Sequence, residues 1–137
     1  MKLQDALKKA NELRPNQFTE ETMVGWLSDL DGQIYRDILD THEDAPASFT
    51  AYVLETDADT DLLVAFPDDG LYVLYLCAMI DWHNADYERY NNELLAFNTA
   101  KERYASAYNR AHLPLQNNSL SFWGTYEDEA ADNPLDL

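Results

Sequence analysis

At 137 residues with one cysteine, Cys77, the chain is long enough to bury a core without a disulfide or a structural metal, and a disulfide framework is excluded. The formal net charge of −17 excludes proteins that grip nucleic acid by neutralising phosphates. The distribution sharpens this: between Arg36 and Arg89 there is no Lys or Arg, yet thirteen Asp or Glu fall in that interval. Such a surface keeps copies apart until a basic partner is met. The excluded disulfide framework fits a reducing compartment at synthesis, and no signal peptide, transit peptide or lipidation motif is read at the start.

In chain order, Leu3, Leu7, Ala10 and Leu13 form a narrow stripe that predicts a helix over about 3–13, ended by Arg14-Pro15. Thr19 reads as the N-cap of a second helix, with Glu20 and Glu21 in its first turn and Phe18 and Met23 as a hydrophobic staple. Its stripe of Met23, Trp26, Leu27, Leu30, Ile34 and Ile38 carries it to about Asp40, and Gly25 and Gly32 suit a close backbone approach. Two short runs, 49–54 and 62–65, are rich in strand formers and predict a β-hairpin turning at Asp57-Ala58-Asp59-Thr60-Asp61.

The third long helix is expected over 67–83, with Pro67 in its first turn and Asp68 and Asp69 at the positive end of its dipole. It is apolar all round from Leu71 to Ile80, as a helix surrounded by other elements must be, and too short for a bilayer, which needs about 20 residues. His83 to Asp86 reads as a capping turn. Beyond it a seven-residue repeat, Tyr87, Leu94, Lys101 and Tyr108 beside Tyr90, Phe97, Tyr104 and Ala111, predicts a helix over 86–110, antiparallel to the central one. The expected core includes Leu27, Leu30, Ile34, Leu74, Ala78, Leu94 and Phe97. The fold class is therefore mainly α (α+β): a four-helix bundle-like domain over 1–111, a hairpin between the second and third long helices, and an extended acidic C-terminal arm over 112–137.

Catalytic and metal chemistry find little purchase. Asp57, Asp59, Asp61 and Asp68 have partial EF-hand spacing, but Leu62 stands where the loop needs Gly and Asp68 where it needs Glu, so a solvated turn is the better reading. His42, His83 and His112 lack zinc-ligand spacing, no Gly-rich phosphate loop or nucleophile elbow occurs, and Cys77 sits in an apolar run unsuited to a thiolate. No enzyme activity, metal or cofactor is expected. The aromatics, with Phe122 and Trp123 in the arm, suit core positions and a subunit interface.

The order of elements, with Ala10 to Leu13, Phe18 to Leu30, Leu62 to Ala78 and Tyr87 to Asn98, resembles the head–tail connector (adaptor) proteins of tailed bacteriophages, especially short ones from prophages of Gram-positive bacteria. The resemblance spans about residues 3–111. It implies a structural virion protein, made in the bacterial host cytoplasm. It also implies a homo-oligomeric ring under the portal protein that meets other neck or tail-completion proteins, lets DNA pass without binding it specifically, and needs no membrane. The expected interface residues are Asp57, Asp59 and Asp61 in the acidic turn, with Leu113, Leu115, Leu120, Phe122, Trp123 and Tyr126 in the arm; the acidic end of that arm asks for a basic receiving surface. The rival expectation from charge alone is a monomeric acidic mimic of DNA that inhibits a nucleic-acid-binding protein.

Overall fold

A computed structural model describes residues 1–115. Four long helices, α1 (Leu3–Leu13), α2 (Glu20–Asp37), α4 (Leu71–His83) and α5 (Tyr87–Ala111), are joined by a one-turn helix α3 (Leu54–Asp57) and a 3-10 turn (Leu39–Thr41). The mainly α expectation holds. The β-hairpin does not: among the described residues there are no strands, only the isolated bridges Lys2–Asp61 and His42–Pro114.

The sequence is apolar enough around α4 that every other long helix packs on it, and α5 does so most extensively. No residue from Leu71 to Asp81 is exposed, in keeping with an apolar helix at the centre. Leu3, Ala6, Leu7 and Ala10 of α1 meet Met23, Val24, Leu27, Leu30 and Ile34 of α2 in one core, which Phe97, Ala100 and Tyr104 of α5 complete. Leu27, Leu30, Ile34, Ala78 and Phe97 are buried as expected, whereas Leu74 and Leu94 are only partly buried, and Leu13, the last member of the expected α1 stripe, is 60% exposed.

The helix ends follow local chemistry. The Thr19 side chain accepts from the Thr22 N–H, capping α2, and Asp86 accepts from the Arg89 N–H, capping α5. Helix α4 begins at Leu71, four residues later than expected. Pro67 instead lies in a turn closed by the Asp68 N–H on the Ala65 carbonyl, after a cis Phe66–Pro67 peptide. Helix α2 ends at Asp37, and a 3-10 turn replaces its expected last residues.

The two apolar runs fail to pair because their polar backbone is used elsewhere. The first-turn amides of α1 have no side-chain cap; Leu3 N–H donates to Thr60 O at 2.9 Å and Gln4 N–H to Ala58 O at 3.0 Å. Leu62 N–H then donates to Met1 O at 2.9 Å. The segment expected to form the hairpin turn thus satisfies the orphan donors of a helix, and the second run opens by bonding to the residue before that helix. On the other side, Tyr52 N–H is taken by Ser28 Oγ of α2, and the chain turns into α3 at Leu54. Side chains still alternate, with Leu62 and Val64 buried and Leu63 half-buried.

The two glycines of α2 differ. The Phe49 ring lies over Gly32, where an added Cβ would meet it at 3.7 Å, but nothing lies within 4 Å of a Cβ at Gly25, so no close approach explains that residue. At the α4–α5 turn the opposite mismatch occurs. Ala85 adopts φ 61 while Asp86 N–H donates to Asp81 O at 2.8 Å, the closure that glycine normally permits. Gly25→Ala and Ala85→Gly should therefore each raise unfolding stability by about 0.5–1 kcal/mol. Urea unfolding of both variants checks this, and loss of stability in either contradicts the corresponding account.

Candidate functional site

The most complete polar constellation is buried. Asp31 falls on the apolar face of α2, between Leu27 and Ile34, and is 0% exposed. Its Oδ1 accepts from the Tyr72 hydroxyl of α4 at 2.7 Å, and its Oδ2 accepts from the Tyr52 hydroxyl and from Leu63 N–H at 3.2 Å. The Tyr72 oxygen in turn accepts from Val64 N–H at 2.7 Å. Burial pushes the Asp31 carboxyl above the ordinary range, against the pull of its three donors. Burial, then the Asp31 charge, raises both tyrosines well beyond the usual phenol range, so they serve as donors and not as acids or bases. Chemically this is a strap that binds residues 52–64 to α2 and α4.

The acidic turn is not a convergent site. Asp57 Oδ2 accepts from Val53 N–H at 2.7 Å, closing the start of α3. Asp59 accepts from the Gln4 side chain, and its carbonyl from Lys2 Nζ at 3.0 Å. Asp61 lies 3.8 Å from Lys2 Nζ, with its side chain mostly exposed. Asp59 and Asp61 thus meet the N-terminal end of α1, whereas Asp57 bonds within its own segment, and among the described residues no three His, Cys, Asp or Glu side chains gather as a metal site.

Where the chain leaves α5 it is pinned by its backbone. Glu43 N–H donates to Leu113 O at 2.9 Å and Leu115 N–H to Thr41 O at 2.9 Å, on either side of the His42–Pro114 bridge. Leu113 and Leu115 nevertheless stand 69% and 61% exposed. Beneath them buried His42 meets the Tyr108 ring edge-on at 4.8 Å, and His112 stacks on Tyr108 at 3.8 Å with Nε2 3.3 Å from Asp44. The other expected arm residues, Leu120, Phe122, Trp123 and Tyr126, lie outside the described residues, as does the rest of the arm beyond Leu115.

A third constellation joins Arg14 to Asp81 and Glu93, with Nε 3.3 Å from Asp81 Oδ2 and Nη2 2.7 Å from Glu93 Oε2. The Cys77 thiol nearby is pushed up to about 11, first by burial and then by the Glu93 charge, which keeps it un-ionised. His83 is stacked on Trp26 at 5.1 Å, with Phe18 edge-on to both rings. An open depression of about 660 Å³ beside α1, lined by Gln4, Asp5, Lys8, Asn11, Glu12 and Glu20, has mixed polar walls and no convergent chemistry.

Sequence reasoning missed Asp31 and Asp81, which sit among twenty-six acids. The available signal was position: Asp31 lies four residues after Leu27 and three before Ile34 on one helical face, and Asp81 closes the apolar run of α4. An acid on an apolar stripe must be paired or hydrogen-bonded. Comparisons with protein-family models, with curated proteins and with solved structures found no match to this chain.

Removing the Asp31 carboxylate strands two tyrosine hydroxyls and one backbone N–H in the interior. Asp31→Ala should lower stability by about 3 kcal/mol or more, and Tyr72→Phe, which leaves Val64 N–H unpaired, by about 1–3 kcal/mol. Chemical denaturation measures both; a loss below about 1 kcal/mol in Asp31→Ala refutes the strap.

Proposed function

We propose that this chain is a non-catalytic structural protein of the tailed-phage neck. In this reading it is a head–tail connector, made in the bacterial host cytoplasm and incorporated in the virion as a ring beneath the portal. The observation that carries the reading is the pinned exit of the C-terminal arm. Leu113 and Leu115 are held by backbone hydrogen bonds to residues 41–43, yet expose most of their side chains. Rigidly presented apolar residues suit an interface, because little side-chain and loop freedom is lost on docking. The cation-free interval from 37 to 88 supports the second part of the role: a wall without Lys or Arg lets a duplex slide past without specific binding. Among the described residues no helix is long and apolar enough to cross a membrane, and the proposed partners are the portal and other neck or tail-completion proteins.

The same interval favours a second reading, a monomeric acidic mimic of DNA that occupies the basic cleft of a nucleic-acid-binding protein. The two differ in assembly. Co-sedimentation with the cognate portal protein, followed by negative-stain imaging, should show one added ring layer. Replacing Leu113 and Leu115 together by Asp, or truncating after Ala111, should weaken that binding by about tenfold or more, equivalent to about 1.4 kcal/mol, while the bundle still melts cooperatively. A monomer that ignores the portal but competes with DNA for a basic protein overturns the connector and establishes the mimic.

A further inference from the structure

The Arg14 side chain, just past the end of α1, meets two carboxylates from the α4–α5 hairpin: Asp81, buried in the last turn of α4, and Glu93, largely buried on α5. Charge does not balance there. One guanidinium faces two acids, and the next cation, Arg89, one turn away on α5, is mostly exposed and lies 3.4 Å from Asp86. Hydrogen bonding does not balance either. Glu93 Oε2 accepts from Arg14, but Oε1 is buried with no donor among the described residues. The Asp81 carboxyl shares the Arg14 guanidinium with Glu93, and it is an acceptor when ionised, so it offers Oε1 no donor. Two ionised carboxylates in such a place repel, whereas one proton between them turns the contact into an O–H···O⁻ bond and leaves a single negative charge for Arg14.

We propose that Asp81 and Glu93 hold one proton between them, and that this proton latches the C-terminal end of α1 onto the α4–α5 hairpin. The groups facing Glu93 are Arg14 from α1, Asp81 and Cys77 from α4, and Arg89 from α5 itself. Burial and then Asp81 push the Glu93 carboxyl up to about 7, against the pull of Arg14 and Arg89. Because the folded-state value lies above the ordinary 4.5, the stabilisation is fully present below about pH 4.5 and is lost as pH rises through about 7. The consequence is local. Arg14 N–H donates to Ala10 O at 2.8 Å in the last bond of α1, so weakening the grip on the Arg14 side chain frays that turn. A second tie, Gln17 Nε2 to Asn84 Oδ1 at 2.8 Å, does not titrate and keeps the loop near. The latch holds whatever partner the chain meets.

Amide hydrogen exchange on the full chain, corrected for intrinsic rates, tests it. Between about pH 5.5 and about pH 8.5, protection of the amides from Asn11 to Arg14 should fall by roughly tenfold or more in the wild type. In Glu93→Gln, whose amide donates to Asp81 as the proton does and whose oxygen accepts from Arg14, protection should stay at the low-pH level across the range. Equal pH dependence in the two proteins overturns the latch. Carboxyl carbon NMR titration of the wild type gives an independent reading: a Glu93 midpoint near neutrality supports the shared proton, and an ordinary midpoint near 4.5 excludes it.

Discussion

The Asp31 carboxylate organises the connection between α2 and α4. An ionised acid taken out of water is costly unless its oxygens are fully bonded, and here two tyrosine hydroxyls and a backbone N–H supply the donors. Because those donors come from residues 52, 63 and 72, one side chain of α2 fixes both ends of the 52–64 connection and the start of α4. The Tyr72 hydroxyl accepts from Val64 N–H as it donates to Asp31, and bonds in series polarise one another. The same connection then closes over the first turn of α1, whose amides have no other cap. Loop, helix start and core are therefore one cooperative unit, centred on a group that composition would assign to the surface.

Beyond that connection, the α4–α5 hairpin is held mainly by shape. Tyr75 packs against Phe97 at 5.2 Å, Phe97, Ala100 and Tyr104 are buried, and Asp86 starts α5 at once after the turn. The polar ties between α1 and the hairpin concentrate in the Arg14 cluster and the Gln17–Asn84 bond. The molecule so divides its polar chemistry: a hydrogen-bonded carboxylate with its full set of donors on one side, and an acid pair short of a donor on the other.

The helices were legible because their evidence is local. Stripes at helical spacing, Thr19 and Asp86 as caps, and an apolar run too short for a membrane all reflect forces within a few residues of one another. The hairpin was misread for a physical reason. The apolar run Leu62, Leu63 and Val64 reports that the segment goes inside, as Leu62 and Val64 do, but it does not say where the backbone hydrogen bonds go. Here the takers were a helix N-terminus and two side chains of α2, all distant in sequence. Pro67 was misread as well: a proline suits the first turn of a helix, but here it lies in a turn four positions before the helix. Of the expected interface, the exposed Leu113 and Leu115 stand where an arm would leave, while Asp59 and Asp61 are engaged at the α1 terminus and Asp57 at the start of α3.

The pinned exit of α5 also has a mechanical side. The rungs joining 113–115 to 41–43 are antiparallel, so tension applied beyond Leu115 reaches them one after another and not together. Leu115 N–H to Thr41 O parts first, and only then does force reach Leu113, the His112 stack on Tyr108 and the helix behind it. Each such rung is worth about 1 kcal/mol, far less than the packing that holds α5 to α4. The junction is thus a peel-away fuse, able to yield a few residues of slack while the bundle stays folded.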